Sequence, residues 1–103
     1  MRRGITSTIR FTLPSEISVS NLIDARITIK QLDCVCADHA LKDMKLDTEE
    51  NALKLQLLQE ETLRLDARRE AEIQLKVKLR GGTVLATPIY YAKVNEILNE
   101  EVI

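Results

Sequence analysis

The run Glu70-Ala71-Glu72-Ile73-Gln74-Leu75-Lys76-Val77-Lys78-Leu79-Arg80-Gly81-Gly82-Thr83, continuing from Val84 to Val94, decides the fold. Ile73, Leu75, Val77 and Leu79 fall on every second position, with Glu72, Gln74, Lys76 and Lys78 between them. Successive side chains of a strand point to opposite faces, so this alternation sets one face on a core and the other in water. Arg80-Gly81-Gly82-Thr83 breaks the pattern, and Gly-Gly supplies the positive φ angles of a two-residue hairpin turn. The return run, Val84 to Val94, is rich in β-branched and aromatic residues. The stretch is a hairpin, and the rest of the chain is what covers its apolar face.

Working outward to the start of the chain, Ile5, Ser7, Ile9, Phe11 and Leu13 alternate with Thr6, Thr8, Arg10 and Thr12. That is a strand with an odd-numbered inner face, closed by Pro14, which cannot continue a ladder. Ser15 to Asn21 is a polar connection that dips Ile17 and Val19 inward. Ile23, Ala25, Ile27 and Ile29 alternate with Asp24, Arg26, Thr28 and Lys30 in a second strand. Gln31-Leu32-Asp33 forms a turn, and Cys34-Val35-Cys36-Ala37 begins a third strand.

From Asp38 to Arg69 helix formers dominate, and propensity alone predicts a long helix. An amphipathic helix needs apolar residues three and four apart, yet the stripe Leu41, Met44 fails at Thr48 and Asn51. Leu53, Leu55 and Leu57 alternate instead with Lys54 and Gln56, which is strand spacing. Asp47 to Asn51 is an acidic turn, and a short helical turn is expected near residues 59–65, with Glu60 and Glu61 near its start. Asn95 to Ile103, with Ile97, Leu98, Val102 and Ile103, fits either a strand end with a tail or a short helix. Six or seven short strand candidates separated by turns, without long crossovers, predict a mainly β antiparallel sandwich over residues 1–103. The immunoglobulin signature of a core Trp and an inter-sheet cysteine pair is absent.

Composition bounds the function. A chain of 103 residues with 45% apolar and 30% charged residues forms one globular domain, and without Trp its core is aliphatic. Fifteen basic and 16 acidic side chains give a net charge of −1, with no clustered basic footprint for nucleic acid. No apolar run approaches the ~20 residues that cross a bilayer. Met1-Arg2-Arg3-Gly4 leads into Thr and Ser rather than an apolar segment, so no secretory signal is expected and synthesis is placed in a cytoplasm.

The search for chemistry is short. His39 is the single histidine, and with Cys34 and Cys36 it makes an incomplete ligand set for a metal. A Cys–His catalytic dyad there lacks an orienting group, and small apolar packing groups are the simpler role for the cysteines. Glu49-Glu50 and Glu60-Glu61 are sequence neighbours, not carboxylates facing across a cleft, and are expected to be solvated. Gly81-Gly82 has neither the helix nor the Lys of a phosphate loop. Arg68-Arg69, Lys76 and Lys78 alternate with acids and apolar residues, as on a solvated sheet face. Tyr90-Tyr91 sets one ring on each face, one for the core and one for a contact. No catalytic, cofactor-binding or metal residue is assigned, and no enzyme is expected.

Several stretches together resemble a family of small bacteriophage and prophage proteins of Gram-positive bacteria. They are Met1-Arg2-Arg3-Gly4-Ile5-Thr6 leading to Phe11-Thr12-Leu13-Pro14, Leu57-Leu58-Gln59-Glu60-Glu61-Thr62, Ile73-Gln74-Leu75-Lys76-Val77, the Gly81-Gly82 turn, and Ile97-Leu98-Asn99-Glu100-Glu101-Val102-Ile103. The region from Asp33 to Lys45, with Cys34, Cys36 and His39, departs from the pattern. The resemblance implies an immunoglobulin-like β-sandwich similar to the N-terminal domain of phage baseplate upper proteins. It implies a non-enzymatic structural or assembly module of a virion, at the tail or baseplate. Its partners would be other phage structural proteins or copies of itself, with no nucleic acid, no membrane span and no cofactor. The expected location is the virion, or the host cytoplasm before assembly; the alternative is a phage-encoded accessory protein that binds a host target and is not part of the virion.

Overall fold

In the computed structural model, which describes residue 1, residue 4 and residues 6–95, two antiparallel sheets account for about half of the described residues. In chain order the elements are β1 (Ser7–Thr12), β2 (Leu22–Gln31), β3 (Cys34–Ala40), β4 (Lys45–Asp47), β5 (Ala52–Leu57), α1 (Gln59–Leu63), β6 (Ala71–Leu79), β7 (Val84–Ala86) and β8 (Tyr90–Ala92). Single 3-10 turns occupy Val19–Asn21 and Leu41–Asp43. The first sheet has the order β1-β5-β4. The second runs β3-β2-β6-β7, with β8 also pairing along β6.

The alternation of β6 does what its spacing requires. Ala71, Ile73, Leu75 and Val77 are buried, and across from them Ile29, Ile27 and Ala25 of β2 are buried in register. On the first sheet Leu53, Leu55 and Leu57 point inward at 1% exposure or less, which is why helix-forming residues lie in a strand here. Burying three leucines against the second sheet outweighs a propensity difference of a few tenths of a kcal/mol per residue. The buried side chains of both sheets belong to one apolar cluster, joined by Val19, Leu65 and Val94.

The structure departs from the sequence expectations in several places. Ile23 was expected inside, but it is 52% exposed while Leu22 is buried. A bulge between Leu22 and Asp24 resets the phase of β2 against β6, and only from Ala25 onward does the odd-numbered face turn inward. The hairpin connection is three residues, Arg80 to Gly82, rather than two. Leu79 N–H donates to Thr83 O at 2.8 Å, and Gly82 N–H to Leu79 O at 3.0 Å. Both glycines have positive φ, 95° and 94°. The return strand is divided, because Pro88 has no N–H for the ladder and Thr87 Oγ1 accepts from Leu75 N–H in place of a backbone carbonyl. The helical turn expected near residues 59–65 is α1, ending at Leu63. The expectations for Ile5 and for the segment 96–103 lie outside the described residues.

Candidate protein-interaction site

Residues 83–92, Thr-Val-Leu-Ala-Thr-Pro-Ile-Tyr-Tyr-Ala, carry no charge. They form the last strands of the second sheet among the described residues, and Val84, Leu85, Ile89, Tyr90 and Tyr91 are 39–63% exposed. An edge strand presents unpaired backbone donors and acceptors, and natural edges are usually blunted by charge. This edge has one Pro and no Lys or Glu. Neither tyrosine is in the core, a correction to the expectation for the pair. Among the described residues β8 pairs only with the start of β6, and Tyr90 and Tyr91 are 51% and 63% exposed. Tyr90 turns toward β1, where its ring lies 5.9 Å from that of Phe11.

Between the free edges of the two sheets the core is open. A groove of about 400 Å³ is lined by Phe11, Leu13 and Ile17 from one side and Leu85, Pro88 and Tyr90 from the other, over Leu75 and Val77. No charged side chain lines it among the described residues.

The outer face of the second sheet, beside β7, has a different character. Arg26 and Lys76 stand directly opposite each other across β2 and β6, and Lys78 follows on the same face opposite Asp24. Like charges facing across a ladder are unfavourable. Arg26 is held by Asp38 at 3.4 Å. Lys30 faces Glu72. Lys76 and Lys78 have no ion pair among the described residues, and Asp24 Oδ1 accepts from Ala25 N–H instead. These side chains and Val84 border a shallow depression of about 250 Å³.

The residues singled out for chemistry are placed apart from this surface. His39 sits between two carboxylates: Nδ1 is 3.1 Å from Asp43 Oδ2, and Nε2 bonds Glu61 Oε2. Burial by itself would lower the His39 pKa, but the bonds to Asp43 and Glu61 outweigh it and the value is raised. Asp43 is held below the usual carboxylate range by its bond to His39. Glu61, expected in solvent, is 11% exposed at its side chain, and Oε1 also accepts from Leu58 N–H at the start of α1. Both ring nitrogens of His39 are thus occupied, and no cysteine joins it. Cys34 is exposed rather than a packing group, whereas Cys36 lies partly against the core, its Sγ 3.9 Å from Gln31 Oε1. A bulge in the β2–β3 pairing opposes Cys36 to no residue of β2, and its Sγ lies 3.8 Å from Cys34 O. Burial pushes the Cys36 thiol up, away from reactivity. No group of three or more His, Cys, Asp and Glu suited to a metal occurs among the described residues. No described helix is long and apolar enough to cross a membrane.

Sequence reasoning set one ring of Tyr90-Tyr91 aside for a contact, without choosing between them, and missed the edge as a whole. The available signal was the uncharged run from Gly81 to Ala92, which stands out in a chain with 30% charged residues. No protein-family model matches the chain, and no curated protein matches it.

Proposed function

We propose that the protein is a non-enzymatic assembly module acting through protein–protein contacts, as a component of a phage tail or baseplate. The observation that carries the contact reading is the uncharged edge at residues 83–92, exposed on both faces and continuous with the apolar groove beside β1. Apolar surface of this kind, rimmed by polar residues, is characteristic of an interaction site. Strand addition at such an edge gains main-chain hydrogen bonds without any catalytic group.

The phage assignment rests on the family resemblance, and the strand order supports the fold it implies. With β1, β5 and β4 taken as strands B, E and D, and β3, β2, β6 and the β7–β8 edge as C′, C, F and G, the order is compatible with an immunoglobulin-like sandwich that has no counterpart of strand A among the described residues. The aliphatic core stands where antibody domains have a Trp and a disulfide.

Mass spectrometry of purified phage particles tests the reading. A structural role requires the chain in the particles at a fixed copy number relative to known tail proteins. Presence in the lysate and absence from particles would overturn the virion assignment in favour of an accessory protein that binds a host target.

A further inference from the structure

We propose that Asp43, His39 and Glu61 form a proton-operated latch, in which loss of one proton releases the Leu41–Asp43 turn from β3 while α1 stays docked. The latch is independent of the edge at residues 83–92 and of any partner that edge takes.

The geometry fixes the number of protons. His39 Nδ1 lies 3.1 Å from Asp43 Oδ2, and Nε2 bonds Glu61 Oε2. Each contact needs a hydrogen between its two heavy atoms. An ionised carboxylate only accepts, and a neutral imidazole has one N–H and one bare nitrogen. Both contacts therefore exist together only when the ring is an imidazolium between two carboxylates. Asp43 in the turn and Glu61 on α1 are the charged groups that act on the ring, while β2 sets the apolar Ile27 opposite it. Lys42 acts on Asp43, which is held below the usual carboxylate range. The ring, not Asp43, gives up the proton as pH rises.

Burial decides which contact then fails. The Asp43 side chain is 41% exposed and that of Glu61 only 11%. Water replaces the ring at Asp43 at little cost, whereas Glu61 Oε2 would lose its partner in a mostly enclosed position. The remaining proton therefore stays on Nε2, and the bare Nδ1 faces a carboxylate that repels it. The two elements also differ in how firmly they are seated. α1 is anchored by the buried Thr62, and Glu61 Oε1 accepts from Leu58 N–H at its start. The turn has no buried residue, is closed by Met44 N–H donating to Leu41 O at 3.0 Å, and packs only Leu41 partly against the core. Segments with few apolar contacts open first. Release bares Leu41 where the chain enters β4.

The released ring, left with one carboxylate, loses its second proton at lower pH than the latched ring. Between those two values the opening constant of the turn rises about tenfold per pH unit, and above the higher one it levels off. Protons close the latch, and alkali opens it.

The test is amide hydrogen exchange of the full chain followed by NMR, each rate divided by the unstructured rate at the same pH. As pH is raised above 6.5, protection of the Met44 amide should fall by about tenfold per pH unit and then level off, while the Glu61 and Thr62 amides hold theirs. The ring nitrogen shifts should then show the proton on Nε2. In Asp43→Asn the side-chain amide accepts from a charged ring and donates to a neutral one, so Met44 protection should no longer vary with pH. Circular dichroism identical to wild type shows that this exposed substitution leaves the fold intact, and the wild-type readings stand without it. Met44 protection that ignores pH in the wild type, loss that comes first at Glu61 and Thr62, a neutral ring protonated on Nδ1, or a pH dependence that survives in Asp43→Asn each overturns the latch.

Discussion

Asn51 sits at φ 53°, a left-handed conformation that costs a residue with a Cβ roughly 1–2 kcal/mol and that Asn tolerates through local hydrogen bonds. Its Oδ1 accepts from Val19 N–H at 2.9 Å, and its Nδ2 faces the carbonyls of Ile17, Pro14 and Leu13 at 2.7, 3.1 and 3.3 Å. One side chain thus satisfies the connection between β1 and β2. Asn51→Ala removes those bonds and keeps the backbone strain, so urea denaturation should show a loss of about 3 kcal/mol. Asn51→Gly loses the same bonds but relieves the strain, and should recover about 1 kcal/mol of that. Equal losses would show that the φ angle is not part of the cost. His39 adds a pH dependence whose sign follows from its partners. Its pKa is raised from 6.5 in the fold, so its contribution is complete below pH 6.5 and fades as pH rises through the raised value. Asp43 is lowered from 3.8, so its contribution holds above pH 3.8 and fades as pH falls through the lowered value. Between those limits the cluster stabilises most. Thermal melts of His39→Gln should lose the decline seen above pH 6.5 in the wild type, and a variant keeping that decline would place its origin elsewhere. The sequence held both residues in view but not their roles. A lone His was visible, while the approach of Glu61 across 22 positions depends on how α1 docks.

At the scale of elements, legibility followed burial. β1, β5 and β6 were readable because one face of each turns toward the core, buried in β5 and most of β6 and half-buried in β1, which forces a period of two. β2 was misphased at Ile23 because its bulge lies where the chain enters the strand, and a bulge adds a residue without any required residue type. The return strand was readable in composition and not in length, since Pro88 divides it and exposure on both faces removes any alternation. The turn was placed correctly and mis-sized, because Gly-Gly serves a two- or three-residue loop alike. Here Gly81 and Gly82 have open space where a Cβ would go, so only the backbone opposes substitution. Gly81→Ala and Gly82→Ala should each cost about 1–2 kcal/mol. For a domain near this size that lowers Tm by roughly 4–16 °C. Unchanged melting would mean that the loop relaxes to negative φ without disturbing β6.

The whole molecule is held together where the chain passes between its sheets. It does so three times: between β1 and β2, between β3 and β4, and between β5 and β6. Each passage is fastened by a polar side chain from elsewhere in the chain. Asn51 holds the first, and the His39–Glu61 contact ties the second to α1 in the third. Gln31, 6% exposed, grips the remainder of the third. Its Nε2 donates to Asp66 O at 2.8 Å and Arg69 O at 3.1 Å, while Oε1 accepts from Asp66 N–H at 2.7 Å. The apolar cluster supplies the bulk of the stability, and these fastenings fix which strand follows which across the core. The two kinds of interaction should therefore fail differently. Leu55→Ala, at a position 1% exposed between the sheets, should cost about 3 kcal/mol of a total of roughly 5–15 kcal/mol. Because both sheets share that cluster, native-state hydrogen exchange should show the most protected amides of β5 and of β6 losing the same free energy. Gln31→Ala should instead speed exchange first at residues 66–69, at denaturant concentrations where β5 and β6 remain closed. If Leu55→Ala weakened β5 and left β6 protected, the sheets would be separate cooperative units and the shared core would not be what joins them.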